Sequence, residues 1–206
     1  MNLPAEKLES APERRLVALS DRAIDNLRFI RETMERSGSF TSVSGIGGVA
    51  MGVTALVAEV LAAAAETPLT WVGIWIGAAV LSFSMSILAM ARKSRAEGVP
   101  LLAGPGRRFA WNVTPPLAAG AALTFALAEA GLVDLLPGTW LLLYGTSVVT
   151  GGFNSVRPVP LMGVLFMLAG VGAFLSPPAW GDAFMAAGFG GLHIVFGIVI
   201  WRKHGG

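Results

Sequence analysis

The chain has 206 residues, 54% of them hydrophobic and 14% charged, whereas a typical soluble domain carries about 25% charged residues. Half of the 15 Lys/Arg and 13 Asp/Glu fall in residues 1–44, so a disordered chain, a collagen-like fibre and an ordinary soluble α/β enzyme are excluded. What remains is an all-α, polytopic membrane protein with a short soluble head. There is no cysteine, hence no disulfide, thiolate nucleophile, Cys-ligated zinc or Fe–S cluster. The net charge of +2 is not gathered into a basic patch interleaved with aromatics, and no nucleic-acid partner is expected.

Residues 1–44 lack the apolar run of a signal peptide, and neither Asn2 nor His204-Gly205-Gly206 fits a lipidation motif. Ser10-Ala-Pro12-Glu13 has the form of a capping box and predicts a helix ending near Gly38. Leu16, Ala23, Leu27, Ile30 and Met34 make one apolar stripe on it. The other face carries six Arg and five acids between residues 13 and 36, with Arg28–Glu32, Arg31–Glu35 and Glu32–Arg36 at pairing distance. That near-neutral balance argues against a polybasic lipid clamp. The stripe needs a cover: the membrane face, the protein's own loops, a second copy in a homo-oligomer, or a cytoplasmic protein docking on residues 13–36. Residues 37–45, rich in Ser and Gly, read as a flexible joint.

A hydrocarbon core of ~30 Å requires roughly 20 apolar residues per helix. Six transmembrane helices are predicted at about 45–66, 70–91, 115–136, 139–154, 159–176 and 183–201, the fourth short and marked by Thr146, Ser147, Thr150, Gly151 and Gly152. Segments 1–44, 92–114, 155–158 and 202–206 hold 7, 5, 1 and 2 Lys/Arg, which accounts for all 15, while the three intervening turns carry only Glu66, Asp134 and Asp182. The positive-inside rule then places both termini in the cytoplasm, with a bacterial-type inner membrane as the expected compartment. The predicted organisation is a cytoplasmic helix and joint (1–44), a six-helix membrane domain (45–201) and a cytoplasmic tail (202–206). Arg92, Lys93, Arg95, Arg107 and Arg108 of the long inner loop are candidates for contact with phospholipid headgroups or other anions, and membrane lipids are expected partners.

The outer turns share a spacing: Pro68-Leu-Thr-Trp71, Pro137-Gly-Thr-Trp140 and Pro177-Pro-Ala-Trp180, each followed four residues later by Trp75, Tyr144 or Phe184. Thr54-Ala-Leu-Val-Ala-Glu59 resembles Thr124-Phe-Ala-Leu-Ala-Glu129. Three in-to-out-to-in helical hairpins are therefore expected, with Trp71, Trp140 and Trp180 in an outer aromatic belt and Trp111 and Trp201 at the inner interface.

Ionisable residues inside a span are functional candidates by default. Glu59, Glu129 and His193 qualify, with Tyr144 nearby in depth: roughly 10, 8, 16 and 6 Å below the outer boundary by helical rise. Small residues mark the faces where helices meet. Gly48, Gly52, Ala55, Glu59 and Ala62 share one face of the first helix, Ala119, Ala122, Ala126 and Glu129 one of the third, and Ala183, Ala186, Gly190, His193 and Gly197 one of the sixth. The expectation is an outward-leaning cavity lined by Glu59, Glu129, Tyr144 and His193 that binds a small molecule or ion. Ser82 and Ser86 share a face of the second helix while Ser84 points away, and back-bonding to the helix is their expected role.

Gly45-Ile-Gly47-Gly48-Val-Ala50 follows a Ser/Gly joint rather than a strand and is no dinucleotide fingerprint. There is no P-loop, H-E-x-x-H or G-x-S-x-G. Three functional readings remain: a carrier or sensor with a polar intramembrane site, a membrane-anchored regulatory or scaffold protein working through its head helix, and an intramembrane metal-dependent enzyme. His193 with the two carboxylates Glu59 and Glu129 could also serve a divalent metal, and the residues name no cofactor.

Overall fold

The computed structural model describes residues 22, 24–30, 38, 40–98, 100–102, 104–153 and 155–204. The chain divides into two compact units, Met1–Gly38 and Ser39–Gly206. In the first, residues 24–30 are helical, as the head helix requires, with Leu27 and Ile30 exposed. Arg28 pairs with Asp25, three residues back, at 3.8 Å. The capping box at Ser10, Leu16, Ala23 and Met34 of the stripe, and Arg31, Glu32, Glu35 and Arg36 of the expected pairs lie outside the described residues.

The second unit is helical, with six principal helices among the described residues: α1 (Gly45–Ala62), α2 (Pro68–Ala96), α3 (Gly104–Glu129), α4 (Leu136–Gly152), α5 (Pro158–Leu175) and α6 (Pro178–His204). Ser44 caps α1 by accepting from the Gly47 N–H at 3.1 Å, and Thr67 caps α2 by accepting from Thr70 at 3.1 Å, with Pro68 preset for the first turn. Gly98 and Gly131, at φ 69° and 71°, follow the ends of α2 and α3 in the left-handed conformation that glycine adopts without a Cβ penalty. α1, α2, α5 and α6 are long and apolar enough to cross a membrane. α4 has 17 residues, about 25 Å of helix. The apolar run of α3 is diluted by Asn112, Thr114, Pro115, Pro116 and Glu129.

α3 starts eleven residues before the expected 115 and runs through Pro115 and Pro116. Each proline removes a backbone N–H from the helical ladder and frees a carbonyl four residues earlier. The Asn112 carbonyl, left by Pro116, accepts from Thr150 Oγ1 at 2.9 Å, and the adjacent Val113 carbonyl accepts from Ser147 Oγ at 2.8 Å. The hydroxyls of α4 thus mend the break in its neighbour.

The helices form two sets, α1–α2–α6 and α3–α4–α5. Each is held by a glycine seam of the same register. In the first, Gly45 and Gly52 of α1 face Gly197 and Gly190 of antiparallel α6. A methyl group on Gly52 would lie 2.7 Å from the Gly190 carbonyl oxygen, and one on Gly197 2.8 Å from that of Gly45. In the second, Gly145 and Gly138 of α4 face Gly163 and Gly170 of α5, with 2.7 Å from Gly145 to the Gly163 oxygen and 3.0 Å from Gly170 to that of Gly138. Spacings of seven recur on all four helices, and each glycine also meets the residue four beyond its opposite number, as Gly197 meets Val49 and Gly163 meets Val149. The closest helix pairs therefore cut across the expected hairpins. α4 and α5, from different hairpins, pack most extensively, because their glycines let backbones touch.

Substituting Gly163 or Gly197 by Leu should cost about 1–3 kcal/mol or more of stability through overpacking, read as a fall in Tm of the detergent-solubilised protein. Gly73→Ala and Gly77→Ala on α2, where nothing lies within 4 Å of the added methyl, should leave Tm unchanged.

Candidate functional site

Two of the four candidate intramembrane residues meet. Tyr144 Oη lies 2.7 Å from His193 Nε2, and His193 Nδ1 lies 2.9 Å from the Phe189 carbonyl oxygen. A carbonyl only accepts, so Nδ1 carries the proton of the neutral ring and Nε2 accepts from the tyrosine hydroxyl. His193 is 3% exposed. Phe166 meets both rings edge-on, at 4.9 Å from Tyr144 and 5.2 Å from His193, and Phe189 lies nearly parallel to the imidazole at 6.2 Å.

α6 makes this geometry possible by widening into a π-helix over Ala186–Leu192, directly before His193. Gly188, Gly190 and Gly191 lie in that segment; Gly188 sits against Leu141 and Phe166, and Gly190 against Leu56. Such bulges recur at functional sites. The extra residue also shifts the helical phase, so Ala183, expected on the His193 face, is exposed, while Gly190, His193 and Gly197 are buried.

Glu59 lies toward the end of α1. It is half-buried, but its Oε2 is fully covered and has no hydrogen-bond partner. The carboxyl of Asp182, at the start of α6, is within electrostatic reach. Asp182 Oδ1 accepts from Trp71 Nε1 at 2.9 Å. Trp71 stacks on Trp140 at 5.4 Å and 8°, and Trp140 Nε1 donates to Thr124 Oγ1 at 2.7 Å. One turn further along α2, Trp75 is 5% exposed, and its Nε1, like Glu59 Oε2, is covered and unpartnered.

The remaining expectations divide. Glu129 ends α3 on the exposed surface together with Ala119, Ala122 and Ala126, so it is not brought to Glu59, Tyr144 or His193. The buried residues of that helix are Gly106, near its start, and Thr124. α3 is alanine-rich on every side, and its stripe of small residues therefore carries no directional information. Trp71 and Trp140 join helices rather than form a surface belt, because each finds a hydrogen-bond acceptor inward; Trp180 is exposed, as a belt residue would be. Ser84 bonds back to the Val80 carbonyl at 2.8 Å. Arg92, Arg95 and Arg107 are exposed, and Arg108 is half-buried, with Nε 3.4 Å from the Gly104 carbonyl. Lys93 is corrected from a headgroup candidate to a buried group. Its ammonium donates to the Val43 carbonyl at 3.2 Å and to that of His204 at 2.8 Å, satisfying an acceptor at the negative end of α6. Among the described residues no three His, Cys, Asp or Glu side chains gather into a metal-holding group.

The aromatic partners that sequence reasoning missed, Phe166 and Phe189, carry no spacing signal. Trp75, Tyr144 and Phe184 do: each follows a Pro-x-x-Trp by four residues, and all pack on or within one aromatic core.

Tyr144→Phe leaves His193 Nε2 buried without its donor and should cost about 1–2 kcal/mol. Adding His193→Leu to it should recover part of that loss in a double-mutant cycle read by thermal unfolding. No family model, curated protein or solved structure matches this chain.

Proposed function

We propose that the chain is a six-span inner-membrane protein, both termini cytoplasmic, that binds a small molecule or ion as a carrier or sensor, with Glu59 as the residue that receives the ligand's polar end. The distribution of charge supports the topology. Exposed Arg92 and Arg95 at the end of α2, Arg107 at the start of α3, Arg157 before α5, and Arg202 and Lys203 at the end of α6 lie on ends that the six-span topology assigns to one leaflet. Glu66 and Asp134, between helices, and Asp182, at the start of α6, lie at the opposite ends.

One observation carries the binding reading. Glu59 Oε2 and Trp75 Nε1, an acceptor and a donor from two packed helices, are covered and unpartnered. Folded proteins rarely leave such atoms unsatisfied, and in lipid no bulk water compensates them. A ligand donor would satisfy Glu59 Oε2, and a ligand acceptor would satisfy Trp75 Nε1.

Native mass spectrometry of protein extracted from its own membrane should show a bound small molecule whose occupancy falls at least tenfold in Glu59→Gln and Trp75→Phe, about 1.4 kcal/mol, and is retained in Glu129→Gln. Equal spectra for all variants would end this reading.

The exposure of Leu27 and Ile30 on the head helix favours a second reading, a regulatory protein that docks a cytoplasmic partner through residues 13–36. Deleting residues 1–38 should then abolish co-purification of that partner without preventing membrane insertion. An unchanged set of co-purifying proteins would dismiss it.

A further inference from the structure

Residues 40–44, expected to be a flexible joint, are a pinned strap. Phe40 is 6% exposed and belongs to the α3–α4–α5 set: its ring lies 4.9 Å from that of Phe109 on α3. Its backbone forms a parallel bridge with Ser155, in the turn between α4 and α5, and its carbonyl accepts from Ser155 Oγ at 2.9 Å. The next residues belong to the α1–α2–α6 set. Ser42 donates to Glu97 Oε2, just past α2, at 3.0 Å; the Val43 carbonyl takes the Lys93 ammonium that also holds the end of α6; Ser44 caps α1. Five residues thus tie both helix sets together, at the end of the bundle where the second unit begins.

Elsewhere the sets meet through side chains. Where a glycine of one set faces the other, it meets side-chain atoms: Gly188 meets Leu141 and Phe166, Gly172 meets Phe184, and Gly181 meets Pro137. Within the seams, Gly45, Gly52, Gly197, Gly145, Gly163 and Gly170 meet backbone, while Gly190 and Gly138 meet the side chains of Leu56 and Phe174. Interlocked backbones resist sliding, whereas side-chain interfaces have more than one packing. The Trp71–Trp140 stack bridges the sets at the far end and Tyr144–His193 bridges them midway. At the strap end exposed cations stand on both sides, Arg92, Arg95, Arg202 and Lys203 on one set and Arg107 and Arg157 on the other. Their mutual repulsion, though screened by salt, acts to separate the ends that the strap holds.

We propose that the Phe40–Ser44 strap is a latch, and that its release from Phe109 and Ser155 lets the two helix sets part at their cationic end while the glycine seams keep each set rigid. The latch stands whether or not Glu59 holds a ligand.

The absence of cysteine makes the test direct. In the full chain in phosphatidylcholine nanodiscs, spin labels at Arg107→Cys and Arg202→Cys report the distance across the cationic end. A second pair at Leu69→Cys and Leu175→Cys, both exposed, reports the far end. Phe40→Ala with Ser155→Ala should lengthen the first distance by more than about 3 Å, beyond the ~1–2 Å of an ordinary helix shift, and leave the second unchanged. Phe109→Ala, which leaves the strap's own residues intact, should do the same. An unchanged first distance, or equal lengthening at both ends, would overturn the proposal.

Discussion

Backbone-to-backbone contact along two glycine seams is the constraint on which this bundle depends. In a bilayer, apolar side chains gain little by leaving lipid tails for other side chains, so close packing and hydrogen bonding must supply the specificity of helix association. Gly45, Gly52, Gly190 and Gly197 supply it once, and Gly138, Gly145, Gly163 and Gly170 supply it again in the same register. Everything else is arranged around these two rigid pairs: α2 flanks α1, α3 flanks α4, and the aromatic core fills the space between.

Polar groups within the helices follow a second rule, that most find a hydrogen-bond partner within the structure. Thr54, Thr114, Thr124, Thr139 and Thr146 return their hydroxyls to carbonyls one turn back. Ser147 and Thr150 mend the proline break in α3, Lys93 closes the end of α6, and Tyr144 satisfies His193. Against that background Glu59 Oε2 and Trp75 Nε1 stand out among the described residues as covered side-chain atoms without a partner.

Part of the site was legible from residues alone. An acid on a glycine-lined face of α1 and a histidine beside glycines on α6 point inward because neighbouring backbones approach closely there. Glu129 occupies the matching place in a repeated Thr-to-Glu string, yet it is exposed, because alanine alone does not bring a helix close enough to bury the next residue. Lys93 sits in a cationic loop like any headgroup contact. Only the proximity of Val43 and the last turn of α6, 111 residues away in sequence, makes it an internal clamp.

Composition and residue order were enough to establish a helical chain with membrane-compatible segments, the segregation of its cations from the three stretches that carry only acids, and a short roll of polar candidates of which His193 is buried. Helical rise and hydropathy translate such one-dimensional properties directly into depth. Which helices pair, which face of α3 turns inward, that α6 widens before His193, and that the supposed joint is a strap were settled only when the chain packed in three dimensions. Those outcomes rest on contacts between distant segments. A helix that is apolar on all sides has no polar face to mark its orientation along the chain, so its facing is set by the neighbour whose backbone it can touch.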